Sequence, residues 1–149
     1  MSEDNLYHPS EKAKKVSLIN EKHFSEKYDY SIELNDKFWS EEGKKIEWIK
    51  PFSKVKDVSY DLKDLHIRWF YDGSLNVSSN CLDRHLEARG NQIAIIWEGD
   101  DPNDTKKITY RELHEEVCKF SNALKANGAK KGDRITIYMP MIPEAAVAM

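Results

Sequence analysis

The feature that most constrains this chain is the succession of strand and helix signals between Ile93 and Met139. Ile93-Ala94-Ile95-Ile96-Trp97 is a continuous apolar run bounded by the turn formers Gly99, Asp100, Asp101, Pro102 and Asn103, the pattern of a buried strand. Lys107-Ile108-Thr109 predicts a short strand leading directly into a helix. Thr109 stands three residues before Glu112, the capping-box spacing at which each side chain satisfies an orphan backbone amide at the other's position. Leu113, Val117, Phe120 and Leu124 then recur on one helical face, and Gly128 closes the helix. Lys130-Lys131-Gly132-Asp133 turns the chain into Arg134-Ile135-Thr136-Ile137-Tyr138-Met139, a second strong strand pattern. Strand, helix and strand at this spacing predict a βαβ unit with parallel strands and a right-handed crossover, so the expected fold class is α/β.

One βαβ unit cannot cover both faces of its sheet, and further elements are expected to pack on it. After Pro140 and Pro143, Glu144-Ala145-Ala146-Val147-Ala148-Met149 opens an apolar helix with proline near its first position and an acid in its first turn. The sequence stops there after barely two turns, whereas an isolated helix needs roughly 12–15 residues. The expectation is that Met149 falls partway through an element and that the chain is the front end of a larger soluble protein.

The first half reads differently. From Glu11 to about Pro51 it is rich in Lys and Glu with interspersed large residues. Two amphipathic helices fit: one from Asn20 to Leu34 with Phe24, Tyr28 and Ile32 at spacing four, another opening at Asn35 or Asp36 and carrying Phe38 and Trp39. Each offers one narrow aromatic stripe, so they are expected to pack as arms on something else. From Val55 to Ser79 the pattern is irregular, with Gly73 in a turn and with Trp69, Phe70 and Tyr71 forming a hydrophobic clasp between segments. Asn80 is expected to cap a short helix through Leu82, His85 and Leu86 that ends at Gly90.

Composition excludes several classes. A net charge of -3 argues against a broad nucleic-acid footprint, because such surfaces concentrate Lys and Arg against phosphates. No run approaches the roughly 20 apolar residues of a spanning helix, and the acidic, polar start is unlike a secretory signal, so an intracellular, cytoplasmic setting is expected. The two cysteines, Cys81 and Cys118, form no disulfide framework and are expected to be reduced and at least partly buried.

No phosphate loop, dinucleotide fingerprint, nucleophile elbow or H-E-x-x-H helix occurs, so no catalytic, cofactor-binding or metal-binding residue is assigned. Cys81/His85 and His114/Cys118 are i, i+4 pairs with zinc-type donors, but the usual C-x₂₋₄-C knuckle is missing and ordinary packing is the expectation. Glu98, Asp100, Asp101 and Asp104 lack the glycine and terminal Glu of a calcium loop and read as a solvated turn between strands. Asp83-Arg84-His85 are consecutive helix positions, which point apart and cannot act on one atom.

Several strings together resemble the AMP-forming acyl-CoA synthetases of the adenylate-forming superfamily. They are Trp69-Phe70 through Val77, Asn80-Cys81-Leu82-Asp83-Arg84-His85-Leu86, Ile95 through Gly99, Ile108-Thr109-Tyr110-Arg111-Glu112-Leu113, and Gly132-Asp133-Arg134 through Ala145. Phe38-Trp39 and Trp48 through Phe52 resemble the family's N-terminal extension. Cys81-Leu82 and Trp97-Glu98-Gly99 lean toward its acetate-activating branch, with the propionyl-CoA synthetases similar in the same places and a non-enzymatic protein-binding module the alternative of another class. The resemblance implies an N-terminal helical and irregular extension over residues 1–79, followed at residues 80–149 by the first βαβ portion of the AMP-binding large domain. It also implies a ligase that uses ATP, coenzyme A and Mg²⁺ to convert acetate into acetyl-CoA through acetyl-adenylate, with the rest of the same polypeptide as the segment's partner and no nucleic acid or membrane. The family's phosphate loop, substrate pockets, magnesium site and catalytic lysine lie beyond the matched strings, so this segment is expected to be a scaffold, inactive alone and carrying no cofactor.

Overall fold

The computed structural model describes residues 7–149, so the first six positions of the polar N-terminus lie outside the described residues. The chain divides into two compact units at Ser74 and Leu75. Among the described residues no helix is long and apolar enough to cross a membrane.

The first unit begins with three helices, α1 (Glu11–Val16), α2 (Glu21–Glu33) and α3 (Asn35–Gly43). Asn20, where the first helix was expected to begin, is the cap of α2, its side-chain oxygen accepting from the His23 amide at 2.9 Å. Asn35 does not cap α3. Its side chain reaches back and donates to the Ser31 carbonyl at 2.9 Å, so the cap position falls to Leu34, which has no side-chain acceptor. The stretch expected to be irregular holds an antiparallel hairpin of β1 (Lys56–Ser59) and β2 (His66–Trp69), with Asp57 opposite Arg68 and Val58 opposite Ile67. Its strands are only four residues long and none of their residues is buried, so no apolar alternation marks them in the sequence.

Rings hold this unit together. Tyr30, Phe38, Trp39, Trp69, Phe70, Phe52 and Trp48 form an unbroken series of contacts, with centroids 4.7 to 6.0 Å apart. The edge-on and tilted arrangements match the preference of aromatic quadrupoles. The clasp expected of Trp69 and Phe70 is therefore real, and it joins α3 to the hairpin. Backbone passes close beneath the rings: a Cβ on Gly73 would lie 2.7 Å from Trp48 Cζ3, and one on Gly43 would lie 3.0 Å from Phe52 Cε1. Phe70 itself sits at φ 47°, in the left-handed region that favours glycine, held there by its ring contacts with Trp48, Phe52 and Trp69. Asp72 closes the same loop, accepting from the Ser53 amide at 3.0 Å, the Ser53 hydroxyl and the Lys54 amide. The Ser53 hydroxyl and these amides hold the Asp72 carboxyl below its ordinary value.

The second unit opens with α4 (Val77–Cys81), a 3₁₀ turn at Asp83–His85 and α5 (Leu86–Arg89). Asn76, not Asn80, is the cap, accepting from the Ser79 amide at 3.0 Å, and the single expected helix is broken at Leu82, whose φ and ψ of -122° and -67° leave the helical region. Gly90 follows α5, and a Cβ there would meet the Leu86 carbonyl at 2.5 Å and the Arg111 guanidinium at 2.7 Å. β3 (Ile93–Glu98) and β4 (Thr105–Thr109) pair antiparallel across the acidic turn, followed by α6 (Tyr110–Ala126) and α7 (Pro143–Ala148). β3 was expected to be buried, yet Ile96 is 65% exposed, since a two-stranded sheet leaves one face open.

The capping box forms as the spacing predicts. Glu112 Oε2 accepts from the Thr109 amide at 2.8 Å, and Thr109 Oγ1 accepts from the Glu112 amide at 3.2 Å. Gly128 takes φ 89° just past the helix, and Pro143 occupies the first turn of α7. The succession of a helical N-terminal part, then strands and helices, agrees with the expected class. One piece departs from it: Arg134–Met139 is not a strand, and among the described residues the sheet of this unit is the antiparallel β3–β4 hairpin. A strand exists only through its ladder, and among the described residues β3 and β4 pair only with each other. The core is thin, with Leu82 at 8% exposed, Leu113 at 7% and Pro143 its buried apolar side chains among the described residues.

Candidate functional site

The residues singled out in the sequence separate in space. Asp83, Arg84 and His85 point three ways, as consecutive positions must. Arg84 donates to the Asn80 side chain at 3.1 Å, His85 packs against the Tyr110 ring with centroids 5.6 Å apart, and Asp83 turns toward α6. The break at Leu82 thus removes His85 from the helix that carries Cys81, and the i, i+4 spacing of that pair has no helical meaning.

The pair on α6 keeps its spacing. His114 and Cys118 lie one turn apart on one face, and Cys118 Sγ is 3.6 Å from His114 Nε2 and 3.9 Å from Nδ1. Asp83 comes from the 3₁₀ turn to complete the cluster, its Oδ1 3.2 Å from His114 Nε2. This contact spans 31 positions of sequence, and no local signal announces it. The cluster borders an open cleft of about 440 Å³ lined also by Ser121, Asn122 and Lys125. Both cysteines are free and exposed, not partly buried as expected, because the thin core leaves α4 and the outer face of α6 in solvent.

A second polar cluster lies on the first unit's hairpin. His66 Nε2 meets Asp57 Oδ1 at 3.0 Å and its Nδ1 meets the Asp64 carbonyl at 3.0 Å, while Arg68 lies 3.4 Å from the other Asp57 oxygen. The hydrogen bond to Asp57 holds the His66 imidazole above its ordinary value, and the same bond holds Asp57 below its own. Each partner is consumed by the hairpin, so the cluster staples β1 to β2.

The acidic turn is a turn. Asp101 Oδ1 accepts from both the amide and the side chain of Asn103, at 2.9 and 3.0 Å, and the Gly99 amide donates to the Asp104 carbonyl at 2.8 Å. Among the described residues no three His, Cys, Asp or Glu side chains converge to hold a metal.

The comparisons with known proteins follow the order of the chain. Residues 24–81 match the acetyl-coenzyme A synthetase N-terminus, and residues 82–149 match the AMP-binding enzymes. Acetyl-coenzyme A synthetases from Parvibaculum lavamentivorans, Shewanella amazonensis and Marinobacter nauticus are 58%, 54% and 56% identical over 91%, 100% and 100% of the chain. The chain spans only 21% to 23% of the length of those relatives. Among solved structures, acetoacetyl-CoA synthetase from Streptomyces lividans superposes with a TM-score of 0.68 at 27% identity, over 80% of this chain and 18% of that one.

Proposed function

Because the chain belongs to the acetyl-coenzyme A synthetases among the AMP-binding enzymes, we propose that it is the N-terminal segment of an AMP-forming acetate–CoA ligase. The reaction proceeds in two steps: acetate displaces pyrophosphate from ATP to give acetyl-adenylate, and the thiol of coenzyme A then displaces AMP to give acetyl-CoA. Magnesium accompanies the ATP, and the setting is cytoplasmic. The observation that carries this reading is identity above 50% along the whole chain to relatives bearing that name.

The segment's own part is structural. Residues 1–79 form the extension and residues 80–149 open the large domain, while the groups that bind ATP, acetate, coenzyme A and magnesium, and those that act on them, belong to the remaining length of the ligase. The test is acetate-dependent exchange of pyrophosphate into ATP. A protein expressed from the whole reading frame should catalyse exchange with acetate faster than with propionate, and the 149-residue chain should catalyse none. Exchange by the chain alone would refute the structural role, and a preference for propionate would move the assignment to the neighbouring branch.

A further inference from the structure

We propose that Asn127 is a site of spontaneous deamidation, converting through a cyclic imide to aspartate and isoaspartate, and that the conversion loosens the end of α6. It is the one asparagine of the sequence followed by glycine. Any other following residue sets a side chain beside the backbone nitrogen that must attack, whereas glycine leaves that nitrogen open and its backbone free to turn. The fold adds three conditions. Asn127 is exposed, so water and hydroxide reach its amide. It is the residue that caps the C-terminal end of α6, with φ and ψ of -85° and 8°, beyond the last regular turn. Among the described residues nothing lies within 4 Å of where a Cβ on Gly128 would stand, so no neighbour hinders rotation of the linking peptide.

Two hydrogen bonds hold the unreactive arrangement. The Asn127 side chain donates to the Ala123 carbonyl at 2.8 Å, and the Gly128 amide donates to the Lys125 carbonyl at 3.0 Å. Both join the exposed last turn to itself, the part of a helix that opens at least cost. Once they open, hydroxide takes the proton of the Gly128 amide and the nitrogen attacks Cγ of Asn127. The N–Cγ bond forms, the Cγ–Nδ2 bond breaks, and ammonia departs with a proton from water, which restores the hydroxide. Water then opens the imide: cleavage at Cγ gives aspartate, and cleavage at the backbone carbonyl gives isoaspartate. Water is the only co-reactant. The product sets a carboxylate at the negative end of the helix dipole, in place of a donor to the Ala123 carbonyl. In isoaspartate the backbone also lengthens inside the turn where the Ala129 amide donates to the Leu124 carbonyl at 3.0 Å.

Asn122 supplies an internal control, since it is exposed too but lies within α6 and precedes Ala123. The experiment incubates the 149-residue chain in mildly alkaline buffer and follows each asparagine by peptide mass spectrometry, with isoaspartate identified by enzymatic methylation. Asn127 should convert first and give both isomers while Asn122 stays intact. The native rate should fall no more than about thirtyfold below the rate in concentrated urea, the weight of two exposed hydrogen bonds. A deficit of about a thousandfold would tie the opening to unfolding of the whole unit and overturn the proposal. Gly128→Ala should slow the conversion severalfold in urea, where the folding of the variant has no bearing. An unchanged rate there, aspartate without isoaspartate, or conversion of Asn122 as early as Asn127 would each overturn the cyclic route. Asn127→Asp should unfold at a lower urea concentration than the parent, as should the converted chain; equal midpoints would overturn the loosening of α6.

Discussion

The indole N–H of Trp48 donates to the backbone carbonyl of Gly43 over 2.8 Å, tying the end of α3 to the loop that carries the aromatic series. The same ring lies over Gly73, so close that a methyl group there would meet Cζ3 at 2.7 Å and Cε3 at 2.8 Å. Gly73→Ala forces a rigid ring to move and should lower the stability of the first unit by about 1–3 kcal/mol. Trp48→Phe keeps most of the packing and loses the hydrogen bond, at about 1 kcal/mol. Urea unfolding followed by near-ultraviolet circular dichroism measures both, and the order of the two effects is the discriminating outcome.

What the sequence discloses and what it hides divides along contact range. The Thr109–Glu112 box, the start of α2 near Asn20, the Gly128 terminus and the α7 proline were legible because each is set within a few residues. The β1–β2 hairpin was not, because cross-strand pairs such as Asp57 and Arg68 are polar, and four-residue strands with no buried face leave no period-two signal. Arg134–Met139 shows the opposite error: its alternation describes a segment suited to a sheet, but a strand also needs a neighbour. The cluster at Asp83 was invisible for the same reason, since one of its members comes from 31 positions away and its approach depends on the break at Leu82. The resemblance to the AMP-forming synthetases was legible over most of residues 20–149, because it resides in strings and not in contacts.

Thr109 is the cap of the longest helix, and its hydroxyl and amide both engage Glu112. Thr109→Ala removes the acceptor for the Glu112 amide and should cost about 1 kcal/mol, whereas Thr109→Ser should cost much less. The Thr109 amide and hydroxyl hold the Glu112 carboxyl below its ordinary value, the amide being the larger cause. A carboxyl lowered in the folded state contributes stability above its unfolded pKa, and that contribution is lost as pH falls through the folded value. Acid unfolding of the second unit should therefore begin at higher pH in Thr109→Ala than in the parent, as read by far-ultraviolet circular dichroism.

His66 and Asp57 make the first unit's hairpin sensitive to pH in a defined direction. His66 is raised, first by its hydrogen bond to Asp57, so its contribution is full below the unfolded value of about 6.5 and is lost as pH rises through the folded value. Asp57 is lowered, first by His66, and loses its contribution as pH falls through its own folded value. The pair is thus at its best in mildly acid solution. An NMR titration of the His66 ring should give a midpoint above that of an exposed histidine, and Asp57→Asn should bring it back down; a midpoint unmoved by that substitution would show that Asp57 is not the cause.

Leu113 tests how much stability a core of this size can hold. It is 7% exposed and lies in the first turn of α6, where the capping box positions it, and Leu82 is a second buried leucine at 8%. Truncating a buried leucine in a well-filled interior costs about 2–5 kcal/mol, the larger values belonging to sites that cannot collapse around the void. Here the surroundings are half-exposed side chains and an open two-stranded sheet, which can move inward or admit water, so Leu113→Ala should fall near about 2 kcal/mol. Leu82→Ala should match it, because the two sites share the same shallow cover. A loss near the upper end for either, measured by urea unfolding of the 149-residue chain, would mean that the interior is filled more tightly than its exposure indicates.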